Sequence, residues 1–142
     1  MQWLFLVYKI PREPSALRVG VWRKLGKLGA VLSHDSVWVL PENARTREQF
    51  QWLAAEIIEQ RGSATVWAAS ATLEGQDEVL EKAFLELVEP AYSEILVELK
   101  HKHADLIALS RRFQQVQAQD HLHSKLGAKV RAALLKARGR PV

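Results

Sequence analysis

The sequence predicts an α+β fold, with a βαββαβ half over residues 1–72 and an all-helical half over residues 73–142, packed as one domain. Three observations carry this. All five tryptophans and every strand-like run lie in the first half. Near Gln76 the apolar pattern changes from continuous runs to helical stripes. The length of 142 residues suits one domain whose core needs no staples.

The elements follow in order. WLFLVYKI, residues 3–10, is nearly continuous in apolar residues, the pattern of a central strand buried on both faces. Pro14 and Ser15 open a helix, since proline in a first turn gives up an N–H that has no partner anyway. Leu17, Val21, Leu25 and Leu28 make its stripe, and Gly29 closes it. Residues 30–32 and 36–41 are two short strands around His34 and Asp35, a hairpin. Thr46 and Gln49 have the spacing of a capping box for a second helix, striped by Phe50, Leu53, Ala54 and Ile57 and ended by Gly62. Residues 65–69 (TVWAA) form the last strand. This order is that of the ferredoxin-like unit.

Beyond Gln76 the chain reads as helix, broken or kinked at Pro90, with a long piece over residues 91–117. Leu99, Leu106, Leu109, Phe113 and Val116 keep a seven-residue rhythm that suits a helical hairpin. A last helix, capped by Ser124, carries Leu126, Val130 and Leu134.

Composition excludes several classes. There is no cysteine, so disulfides, thiolate catalysis and cysteine zinc sites are out. No basic region precedes the N-terminal apolar run and no small-residue cleavage site follows it, against a signal peptide. No run approaches the ~18 apolar residues of a membrane span. The expectation is a soluble cytoplasmic protein.

Charge is uneven. Residues 9–27 carry six basic side chains against Glu13, residues 74–98 eight acids against Lys82, and residues 100–142 ten basic side chains against Asp105 and Asp120. A basic first helix and a basic tail suit a polyanion. The acidic stretch reads as a solvated face, or as a surface for self-association.

The segments YKIPREPSALRVGVWRKLGKLGAVLSHDSVWVLP, RTREQFQWLAAEI and RRFQQVQAQDHLHSKLG resemble the N-terminal domain of the ChrB family of chromate-resistance regulatory proteins. More distantly, the order of strand, YxIP-type corner, basic helix and SVWV is similar to the ferredoxin-like domain of the phenylacetate-catabolism repressor PaaX. It is similar also to the small CRISPR-associated ferredoxin-like nucleases. The resemblance implies a bacterial transcription-regulatory setting beside a chromate efflux transporter, with promoter DNA as partner. It also implies a homodimer paired through the sheets, and a further oxyanion-sensing domain in full-length members. In the nuclease relatives the first strand ends in a metal-binding aspartate, and Lys9 stands at that position here. An ammonium cannot serve Mg²⁺, which takes carboxylate oxygens.

The candidate binding residues are therefore basic: Lys9, Arg12, Arg18, Arg23, Lys24 and Lys27. A helix N-terminus preceded by Lys9 and Arg12 is suited to an anion, through free N–H groups and the helix dipole. That anion is DNA phosphate on one reading. On the other it is chromate, in a sensing or protein-interaction module that does not touch DNA. The competing account is an ordinary solvated amphipathic helix. His121, His123 and Asp120 fit no standard metal spacing and read as a polar connector. Ser15, Ser33, Ser36 and Thr46 lack a nucleophile elbow, and the glycines are too scattered for a phosphate loop. The expectation is no enzyme, no metal and no cofactor. The tryptophans read mostly as core, with Trp22 and Trp52 off the stripes as candidates for stacking on bases.

Overall fold

The structure, a computed structural model, describes residues 1–139. The chain falls into two compact units, Met1–Leu80 and the segment from Glu81 onward.

The first unit is a four-stranded antiparallel sheet in the order β2-β3-β1-β4. β1 (Gln2–Lys9) leads into α1 (Ser15–Leu28), followed by β2 (Val31–His34), β3 (Val37–Pro41), α2 (Ala44–Glu59) and β4 (Ser63–Ser70). This is the expected βαββαβ order, with β1 central between β3 and β4. Trp3 pairs with Pro41 and Ala69, and Leu6 with Trp38 and Val66. Strand side chains alternate, so Leu4, Leu6, Trp38 and Leu40 share one face. There Val21 and Leu25 of α1 and Phe50, Leu53 and Ile57 of α2 are buried.

Three details of this unit's cap and burial differ from expectation. α2 is capped by Asn43, whose side chain accepts from Thr46 N at 2.9 Å while Thr46 Oγ1 accepts from Asn43 N at 3.0 Å. Thr46 is therefore the third helical residue of a capping box three residues earlier, fully buried and also donating to Pro41 O. β1 is buried only in its first part: Trp3, Leu4 and Leu6 are covered, while Val7 is exposed. Trp67, read as core, is also exposed, because it alternates onto the face of edge strand β4 away from α1 and α2.

α3 (Gln76–Leu99) begins at the end of the first unit, where Trp3 Nε1 donates to Asp77 Oδ1 at 2.8 Å. That bond holds the Asp77 carboxyl below its ordinary value. α3 runs unbroken through Pro90, so the break expected there, and the long helix over 91–117, are not formed. An interior proline costs a helix about 3 kcal/mol. Burial of Val88, Tyr92 and Ile95 on either side of it offsets that cost. The break falls at residues 100–105, a stretch of charged and polar residues in which only Ala104 packs, partly buried, against the core, and Asp105 caps α4 (Leu106–Gln119) by accepting from Ala108 N.

In the second unit α3, α4 and α5 (Lys125–Gly139) enclose Val88, Tyr92, Ile95, Leu109, Phe113, Val116, Val130 and Leu134. Tyr92 donates to the buried Asp120 at 2.9 Å, and burial together with that carboxylate pushes the phenol pKa up. Asp120 also accepts from Ser124 N, and Ser124 Oγ accepts from Leu126 N, the expected cap of α5. No described helix is long and apolar enough to cross a membrane.

Candidate functional site

β1 delivers Lys9 as its last residue, and the chain then turns through residues 10–14 into α1. Backbone contacts hold this corner. Tyr8 N donates to Ser36 O at 3.1 Å, tying the end of β1 to the β2–β3 turn. Gly62 lies so close that a Cβ there would stand 2.8 Å from Lys9 O. The result is a groove of about 610 Å³ at one end of the sheet. Its walls are Tyr8, Lys9 and Ile10 from the strand end, Arg12 and Ser15 from the corner, Arg18, Val19, Trp22 and Arg23 from α1, and Asp35 with Ser36 from the turn.

Four of the six candidate cations thus meet in one concavity: Lys9, Arg12, Arg18 and Arg23. α1 enters it without a side-chain cap and without an acid in its first turn, so its leading N–H groups carry the helix's partial positive charge uncompensated. Trp22 is 53% exposed, yet its ring is seated edge-to-face on the buried Trp38, with centroids 5.0 Å apart. Such a pair adds stabilisation beyond buried area, so the indole stands in a defined place.

Lys24 and Lys27 lie elsewhere. Successive helical residues turn by 100°, so Lys24 points toward α2 and pairs with Glu56. It borders a separate hollow with Leu28, Gln49 and Trp52. Lys27 is a full turn beyond Arg23, past the end of the groove. Tyr8, Asp35 and Ser36 join the groove without belonging to the basic set that the sequence marks. Their signal was the hairpin order, which sets the β2–β3 turn beside the end of β1. A further hollow, about 790 Å³, is lined mainly by apolar residues including Trp3, Phe5, Val37, Leu73 and Val79, and by no lysine or arginine.

Among the described residues no group of three or more histidine, aspartate or glutamate side chains is placed to hold a metal ion. Asp120 is taken up by Tyr92 and Ser124, and the His121 ring packs against Phe84.

A family profile described as "Protein ChrB, N-terminal" matches residues 18–107. The chain belongs to the ChrB N-terminal family. Protein ChrB of Cupriavidus metallidurans is 30% identical to this ChrB-family chain over 106 residues, covering 73% of the chain and 32% of that protein. The chain thus spans about a third of the length of the curated relative it matches. No solved structure matches it. Arg18, Arg23, Lys24 and Lys27 fall inside the span that carries the ChrB match; Lys9 and Arg12 precede it.

Proposed function

We propose that this chain is a DNA-binding regulatory domain of a bacterial chromate-resistance system, acting in the cytoplasm and holding phosphate in the groove at the start of α1. The observation that carries the reading is the convergence of Lys9, Arg12, Arg18 and Arg23 on one concavity at an uncompensated helix N-terminus. Membership of the ChrB family supplies the setting. Each cation that neutralises a phosphate releases counterions, so the affinity is expected to fall linearly on a log–log salt plot. The operator fragment is bound as a homodimer, which brings two grooves onto one duplex. No catalytic step belongs to this reading, and Mg²⁺-dependent, chelator-sensitive cleavage of nucleic acid by the purified chain would contradict it.

A second reading, capture of chromate or a related oxyanion without DNA, draws on the same four cations around one concavity. The test that separates the two is binding of a labelled promoter duplex by the full chain at low salt, beside calorimetry with chromate. Duplex binding with a steep salt slope supports the regulatory reading. Chromate binding with no duplex binding at low salt supports the sensing module instead.

A further inference from the structure

The groove contains two groups that a phosphate backbone alone does not use. One is Trp22, half exposed and held in place by Trp38 beneath it. The other is Asp35, a carboxylate in a wall otherwise rich in cations. A bare oxyanion can use an indole only through its Nε1–H, gains nothing from the ring face and is repelled by an aspartate. In a paired duplex every base face is covered by its stacked neighbours, so a wall of indole meets no ring. An unpaired base offers both missing features: a free π-face for Trp22, and amino or imino N–H donors for the acceptor-only carboxylate of Asp35. The cations then take its phosphate. The volume of about 610 Å³ lies within the range of small-ligand sites.

We infer that the groove binds a nucleoside phosphate whose base is unpaired, stacked on Trp22 and hydrogen-bonded to Asp35. This rests on the phosphate-binding reading above and adds the ligand class. The same chemistry is presented by a free nucleotide or by an unpaired residue within a strand.

The test uses the full chain and four probes: inorganic phosphate, a mixture of deoxynucleoside monophosphates, a fully paired duplex, and the same duplex with one unpaired base. Calorimetry gives affinities, and the Trp22 indole resonance, assigned by its loss in Trp22→Phe, reports occupancy. The unpaired-base duplex is expected to bind at least tenfold tighter than the paired one and to shift that resonance. Trp22→Ala is expected to abolish the preference, losing about tenfold or more on the unpaired probe alone. Trp22→Phe keeps most of it, and Asp35→Asn weakens it. If the monophosphates bind as tightly as the unpaired-base duplex, the inference stands and a free nucleotide is the ligand. Equal affinity for both duplexes with a silent Trp22 resonance overturns the inference and leaves DNA binding intact. Binding of inorganic phosphate with no binding of any nucleotide overturns both. The comparison of the two duplexes needs no variant, so a misfolded Trp22→Ala would not blunt it.

Discussion

Replacing Arg18 and Arg23 together by alanine tests whether the groove, rather than the basic helix as a whole, contacts DNA. If each of the four groove cations neutralises one phosphate, at about −0.9 per contact, the slope of log affinity against log salt is about −3.6 per bound chain. Between 50 and 200 mM salt that slope weakens binding roughly 150-fold. With two contacts gone the slope is about −1.8 and the same step costs only about 12-fold. Lys24→Ala is the control. It removes a charge from the same helix, but one paired with Glu56 on the α2 side, so the slope is expected to stay near −3.6. Its own effect on stability is that of a surface ion pair, about 0–1 kcal/mol. Fluorescence anisotropy of a labelled duplex across a salt series reads all three chains, with circular dichroism to confirm that each is folded. A Lys24→Ala slope as flat as that of the arginine double variant, or a double variant that keeps the native slope, would refute the assignment.

Gly62→Ala is expected to destabilise the first unit by about 1–3 kcal/mol in urea melts, since the new Cβ would lie 2.7 Å from Ile57 Cγ2 and 2.8 Å from Lys9 O. Because it pushes on Lys9 it should also weaken duplex binding, as anisotropy would show. Tyr92→Phe removes the hydroxyl donor to Asp120 and leaves that buried carboxylate accepting from Ser124 N; a loss of about 1–3 kcal/mol is expected by the same melts. The Trp3 indole bond lowers the Asp77 carboxyl below its ordinary 3.8, so this contribution to stability is present above that value and lost as pH falls below it. Thermal melts in that acid window should therefore show a steeper decline for the native chain than for Asp77→Asn.

Much of the fold was legible because its signals are local. The stripe Leu17, Val21, Leu25 and Leu28, the Gly29 stop and the Ser124 cap each depend on neighbours within a few residues, and each has its expected place. The readings that failed depend on competition or on the far side of the sheet. Thr46 is a sound N-cap residue by type, but Asn43 lies three residues earlier and wins the position because Thr46 can then bury its hydroxyl on Pro41 O. Pro90 is a helix breaker by type, and only the apolar residues buried on both sides of it make continuation cheaper than a break. Trp67 looks like core in TVWAA, yet whether a strand residue is covered depends on which face the helices occupy, which no single strand records.

The groove shows the same division at the level of function. Charge counting marks α1 as basic but cannot sort its cations, because Arg23 and Lys24 are neighbours in sequence and sit on different sides of the helix. What sorts them is topology. β3 runs antiparallel to β1 with Val37 opposite Val7, so the β2–β3 turn must arrive beside Lys9, at the end where the chain leaves the sheet and α1 begins. Strand end, helix N-terminus and turn therefore converge whatever side chains they carry. On this chain they carry lysine, arginine, an indole and one carboxylate. A site composed this way is matched by a ligand with both an anionic group and a polar aromatic ring, and the basic face of α1 alone would have asked only for the anion.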